Sequence, residues 1–181
     1  MHRRAGLLNG GDRGNTGDDL KEIIRMEKIV LSEKDPNFKN EIASQPGAEV
    51  FMRCFTCGTC TASCPVAEVH EEYDPRKIIR MAILGMREEV LSSDILWMCS
   101  RCYTCHALCP QNVKFTDVIS VLRGMAIKEG YVPEKRQEEA KELDRAVQEL
   151  RCLLIDNKLH PGKKKADKIR SKVEELAKDD W

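Results

Sequence analysis

Apolar positions along the chain recur at helical spacing in several separate stretches. After Asp18 and Asp19, whose charges suit the positive end of a helix, Leu20, Ile23 and Ile24 with Val30 and Leu31 fit a short amphipathic helix, a strand being the alternative. Residues 36–47 read as polar and turn-like, and deliver the chain to Phe51 and Met52. Asp74-Pro75 is a helix start, because the carboxylate caps free amides and proline suits the first turn. Ile78, Ile79, Met81, Ala82 and Met86 then form an apolar side, interrupted by Gly85. A second short helix is expected from Ser92 or Ser93 through Trp97. Beyond Lys114-Phe115-Thr116, the spacing of Val118, Ile119, Leu122, Met125 and Ala126 predicts a helix ending near Gly130.

The tail repeats differently. Ala140, Leu143, Val147, Leu150 and Leu154 recur at intervals of 3, 4, 3 and 4, a narrow seam on one helix. His160-Pro161-Gly162 breaks it, and Ala166, Ile169, Val173 and Leu176 mark another helix. Two such helices with charged outer faces form a hairpin or dock on a partner protein, and docking is the preferred reading because thin stripes need a covering surface. The expected fold class is all-α.

Two stretches are organised by cysteine instead. Residues 54–65 read Cys54-Phe-Thr-Cys57-Gly-Thr-Cys60-Thr-Ala-Ser-Cys64-Pro65, and residues 99–110 read Cys99-Ser-Arg-Cys102-Tyr-Thr-Cys105-His-Ala-Leu-Cys109-Pro110. Each is C-x2-C-x2-C-x3-C-P, the run that ligates cubane iron–sulfur clusters in bacterial-type ferredoxins. Three cysteines at i, i+3 and i+6 wrap one face of a cube, and the one before proline ordinarily serves the other cluster. That rule predicts Cys54, Cys57, Cys60 and Cys109 on one [4Fe–4S] cluster, and Cys64, Cys99, Cys102 and Cys105 on a second. Zinc explains neither the third cysteine nor the fourth before proline. Disulfides fit less well, given the tight clustering and an amino terminus that does not read as a secretory signal. Because 34 residues with helical patterns separate Cys64 from Cys99, the expected architecture is an α-helical ferredoxin-like domain holding two [4Fe–4S] clusters. It spans 36–130, between a 1–35 extension with a short helix and a 131–181 C-terminal helical docking segment.

Composition adds exclusions. Thirty basic and 30 acidic side chains balance, giving no electrostatic case for nucleic acid or a membrane surface. No run of apolar residues is long enough to span a bilayer, and nine cysteines need a reducing compartment, so a cytoplasmic location is expected. With only 5% aromatic residues, the motif region needs metal ligation for much of its folding energy. The glycines of residues 1–17 read as a flexible lead, since no lysine–serine/threonine pair follows them to make a phosphate loop. The lysine run 163–165 reads as a solvated helix start.

Other residues take plain readings. Cys152 is a small helix-packing residue. His106 packs its loop, with cluster tuning as the alternative. Thr56, Thr59, Thr61, Ser63, Ser100 and Thr104 bond cluster sulfurs or make turns. Gly58 lets the chain pass close to inorganic sulfur, while Pro65 and Pro110 turn it away. Trp97, Met98 and Tyr103 shield the second cluster from water. No acid–base pair, flavin or nicotinamide fingerprint is present, and the C-x3-C-x2-C motif of radical S-adenosylmethionine enzymes is absent. Two one-electron centres in a row make a wire.

The segments FMRCFTCGTCTASCPV, DPRKIIRMAILG and WMCSRCYTCHALCPQNVKFTDVI resemble the iron–sulfur (C) subunits of the CoB–CoM heterodisulfide reductases of methanogenic archaea, over roughly Asp18 to Gly130. The resemblance implies a non-catalytic electron-relay subunit of an enzyme complex. It would pass electrons from the flavoprotein of that complex to a catalytic protein whose CCG motifs hold the centre that reduces the CoM–CoB heterodisulfide to two thiols. It also implies a larger assembly with a nickel–iron hydrogenase or a formate dehydrogenase. From that family only the eight cysteines named above carry over. Wire subunits of other soluble oxidoreductases, and a free two-cluster ferredoxin, are the alternatives.

Overall fold

The computed structural model describes residues 29–177, which contain helices and turns and no strand. The all-α expectation is met. The chain divides into two units, Met1–Glu33 and Lys34–Trp181. Within the first, a 3₁₀ turn covers Leu31–Glu33, while the helix expected from Asp18 and the lead 1–17 lie outside the described residues.

The second unit holds nine α-helices among the described residues: α1 Phe38–Ala43, α2 Thr59–Ala62, α3 Pro65–Val69, α4 Pro75–Ile83, α5 Arg87–Leu91, α6 Thr104–Leu108, α7 Phe115–Lys128, α8 Lys135–Leu159 and α9 Lys163–Leu176. Two 3₁₀ turns, Phe51–Arg53 and Asp94–Met98, lead into the two cysteine runs. Three outcomes follow the sequence closely. Asp74 caps α4, its carboxylate accepting from the Lys77 amide at 3.1 Å, with Pro75 at the first helical position. Ser93 caps the turn before Cys99, as expected, although that turn is 3₁₀. The apolar face of α7 is buried through Val118, Ile119, Leu122 and Ala126.

Residues 36–47 depart from expectation. They are not simply turn-like: α1 forms there, with Phe38 and Ile42 fully buried. A six-residue helix is too short to persist by propensity or to display a period. Burying two large side chains, worth about 1.5–3 kcal/mol each, holds it in place. The helix α5 shares this character, its Val90 and Leu91 being buried.

One cation ties these short elements together. Arg87 donates to Asp35 at 2.7 Å, to Glu41 of α1 at 2.6 Å and to Glu129, just beyond α7, at 2.8 Å, and its guanidinium lies over the Phe38 ring. The Arg87 hydrogen bond is the chief cause that holds the Glu41 carboxyl below its ordinary range. Lys34 and Glu89 form a further ion pair. Beside this network the chain reverses at Gly85, whose φ is +80° and whose carbonyl accepts from the Asp35 amide at 3.0 Å.

The C-terminal helices pair with each other, and Lys172 of α9 reaches Glu149 of α8 at 3.4 Å. Their seam is only partly covered, since Leu143, Val147, Leu154 and Val173 are between 41% and 50% exposed. Cys152 is exposed, so it is not the packing residue expected. It points away from the seam because a 3,4 repeat covers a narrower arc than a globular helix face.

A Cβ added at Gly85 would sit 2.2 Å from the Asp35 carbonyl oxygen in a backbone conformation that L-residues avoid, whereas one at Gly124 meets nothing within 4 Å. Gly85→Ala is therefore expected to destabilise the holoprotein by about 2 kcal/mol or more, and Gly124→Ala to stabilise it by about 0.5–1 kcal/mol. Anaerobic thermal melts of the two variants check both signs.

Candidate iron–sulfur centres

The two cysteine runs fold alike, residue by residue. Cys54 and Cys99 each follow a 3₁₀ turn in extended conformation, at φ −62° and −61°. Two positions on, Thr56 and Arg101 take positive φ, and two further on, Gly58 and Tyr103 do so again, at 83° and 60°. These left-handed steps curl each loop so that its first three cysteines face inward. Short helices α2 and α6 then begin, packed against each other, and carry Cys60 and Cys105. Each run closes on an extended cysteine, Cys64 or Cys109, before its proline.

The loops enclose two small cavities. One is lined by Cys54, Cys57, Cys60 and Cys109, with Ile79, Val113 and Arg76. The other is lined by Cys64, Cys99, Cys102 and Cys105, with Tyr73 and Thr116. Phe115, 2% exposed, lines both. In each cavity, then, the last cysteine comes from the opposite run. Among the described residues no three His, Cys, Asp or Glu side chains are spaced to hold a single metal ion. The donors surround a volume.

Their electrostatics separate outer from inner thiols. Cys57 and Cys102 are exposed. The Thr59 hydroxyl, 3.3 Å from Cys57 Sγ, and the Thr59 amide hold the Cys57 thiol below its ordinary range. At Cys102 burial works the other way, yet the Thr104 hydroxyl at 3.4 Å and the Thr104 amide bring the thiol down too. Burial pushes Cys60 up to about 11 and also raises Cys105. Thiolates that burial alone disfavours need a cation, which iron supplies. A second observation fits a cluster. The Tyr73 hydroxyl is buried beside Cys64 and Cys99 without a hydrogen bond of good geometry, Cys99 sulfur being the nearest acceptor, and a buried O–H left so is costly unless the cavity offers it an acceptor. Burial first, and the nearby Cys99 thiolate second, drive its phenol far up, so it remains a donor.

Expected and observed roles divide. Thr59 and Thr104 bond cysteine sulfur, but Thr61 donates to Asp74 at 2.5 Å, tying α2 to the start of α4, and Ser63 donates to the Thr59 carbonyl at 2.8 Å, closing the end of α2. Tyr103 lines the second cavity, whereas Trp97 takes the Arg123 guanidinium over its ring. His106 packs its ring 6.1 Å from that of Tyr103. Sequence reasoning missed Tyr73, Phe115, Thr116 and Arg123. Arg123 had a signal: it falls on the apolar face Ile119–Leu122–Ala126, where a charge is out of place.

Two quartets of cysteine around two cavities in an all-helical domain define a ferredoxin-like, two-cluster fold. Residues 51–113 match the family model of the 4Fe-4S dicluster domain, and the chain carries two [4Fe–4S] clusters. It is 41% identical over 112 residues to the C subunit of the H(2):CoB-CoM heterodisulfide,ferredoxin reductase of Methanothermobacter thermautotrophicus, covering 62% of this chain and 57% of that one. It is 47% identical over 111 residues to the C2 subunit of the H(2)/formate:CoB-CoM heterodisulfide,ferredoxin reductase of Methanococcus maripaludis, covering 61% and 53%. Identity to the C subunit of the Ferredoxin:CoB-CoM heterodisulfide reductase of Methanosarcina mazei is 44% over 87 residues, covering 48% and 53%. Across its cluster-binding part the chain is similar to the iron–sulfur C subunits of CoB–CoM heterodisulfide reductases. It spans a little over half the length of these relatives.

At Gly58 a Cβ would meet the Arg76 side chain no closer than an ordinary 3.5 Å, so among the chain's own atoms the left-handed backbone is the obstacle to substitution. Gly58→Ala is expected to keep the full iron complement and to cost about 1 kcal/mol, read as a lowered midpoint in anaerobic denaturation.

Proposed function

We propose that this chain is the electron-relay subunit of a heterodisulfide reductase complex. It takes electrons from the flavoprotein of the complex and delivers them to the CCG-motif catalytic protein, where the CoM–CoB heterodisulfide is reduced to two thiols. The observation that carries the reading is the pair of cysteine-lined cavities in a chain similar to the iron–sulfur subunits of such reductases. Each bound cluster takes up and gives back one electron, and the chain's own residues hold and insulate the two centres. The ligand sets are Cys54, Cys57, Cys60 and Cys109 for the first cluster, and Cys64, Cys99, Cys102 and Cys105 for the second. The lining of each cavity supports this crossing. Residues 36–130 form the cluster domain, and 131–181 dock on the partner proteins through the half-exposed seam of α8 and α9. The complex is cytoplasmic and extends to a nickel–iron hydrogenase or a formate dehydrogenase. Among the described residues no helix is long and apolar enough to cross a membrane.

Crossed ligation predicts an unequal pair of double variants. Cys57→Ser/Cys109→Ser removes two ligands from one cluster and should keep about half of the iron; Cys57→Ser/Cys64→Ser strikes both clusters and should keep little. Iron and sulfide analysis of the anaerobically purified chains reads the difference, and the reverse pattern means that each run ligates its own cluster. For the complex, native co-purification should bring down a flavoprotein and a CCG-rich companion, with thiol release that depends on the CoM–CoB disulfide. A different oxidoreductase as companion, or a solitary monomer, points to another wire subunit or a free ferredoxin.

A further inference from the structure

The two cavities share a backbone plan, yet their surroundings differ in buried polar groups. Around the second, Tyr73 is 1% exposed with its hydroxyl in no hydrogen bond of good geometry, and the buried Thr116 hydroxyl lies 3.5 Å from Cys105 Sγ. Arg123 is 8% exposed; its Nε donates to the Leu96 carbonyl at 2.8 Å and its Nη2 to the Cys99 carbonyl at 3.3 Å. The guanidinium is therefore fixed on the backbone of a cluster ligand and out of water. Around the first cavity, apart from the shared Phe115, the lining is apolar at Ile79 and Val113, while its Thr56 is exposed and its Thr59 half-buried. Its cation, Arg76, has a side chain 46% exposed and stands 3.7 Å from Asp74, so solvent screens it and a carboxylate offsets it.

The remaining differences are smaller. The Thr59–Cys57 and Thr104–Cys102 bonds match. The Val113 amide, 3.2 Å from Cys109 Sγ, favours the first site. Asp144 of α8 lies within electrostatic reach of Arg123 and offsets part of its charge, while Arg101 adds to it. One cysteine of each quartet is exposed, so solvent access separates the sites little. Reduction adds negative charge to a cluster, and donors and fixed cations favour that state most where the dielectric is low.

We propose that Tyr73 and Arg123 make the site of Cys64, Cys99, Cys102 and Cys105 the higher-potential one of the pair, the end at which an electron comes to rest. The inference rests on the crossed ligand sets proposed above. An EPR-monitored potentiometric titration of the anaerobically purified full chain tests it. In the wild type two midpoints are expected. In Tyr73→Phe, poised at the wild type's higher midpoint, the ratio of reduced to oxidised cluster should fall about tenfold, or 59 mV for a one-electron couple, with the lower midpoint unmoved. Arg123→Gln keeps a donor for the carbonyls and removes the charge, and should move the same midpoint the same way. A shift of the lower midpoint, an equal shift of both, or no shift with full iron overturns the proposal. If Tyr73→Phe loses a cluster, Arg123→Gln decides by the same criteria, and loss of a cluster in both assigns these residues to holding the site and overturns tuning. Failure of the ligand sets shows separately, in the iron content of the paired cysteine variants.

Discussion

Bringing thiolates together away from water is the demand on which this structure depends. Like charges repel, and burial disfavours each of them, as the raised Cys60 and Cys105 thiols register. Polypeptide alone answers this weakly, with the Thr59 and Thr104 hydroxyls and the Val113 amide aimed at sulfur. Iron answers it strongly, by binding the deprotonated form. The left-handed backbone at Thr56 and Gly58, and at Arg101 and Tyr103, is the conformational cost of curling each run. Glycine relieves that cost at one site only. Tyr103 accepts it, and its ring closes the edge of the second cavity.

Repetition of one loop plan makes the differences informative. Where two runs share turn, dihedral and hydroxyl position, anything present at only one of them reflects the elements packed around it. Tyr73 arrives just ahead of the α4 cap, and Arg123 from the apolar face of α7. Neither belongs to a cysteine run. The polar asymmetry of the two sites is thus supplied by the helical scaffold, on top of a nearly symmetric set of ligands.

Legibility followed the length scale of each interaction. The cysteine runs, the Asp74-Pro75 cap and the face of α7 are local patterns, and each could be read from adjacent residues. The helix α1 could not, because Phe38 and Ile42 are two apolar residues in a polar stretch and only the tertiary core explains their burial. The Arg87 network joins residues 35, 41, 87 and 129, a juxtaposition no periodicity carries. The buried Tyr73 hydroxyl was invisible for the same reason. In the tail the 3,4 spacing correctly gave helices, but it could not tell the partly exposed seam from a covered one, nor that Cys152 would lie outside it.

Core and site are one cooperative object. Phe115 is a core residue and also lines both cavities; Ile79 and Val113 belong to the core and to the first cavity. A cluster therefore stands where a larger core would otherwise have continued, and the buried apolar side chains around it complete its wall. Packing can hold those side chains in place only when the space beside them is filled, since voids forfeit dispersion contacts. Ligation in turn needs the cysteines presented by helices that the same packing holds. Filling by metal and packing by side chain therefore depend on the same residues, and Phe115 is common to both sites.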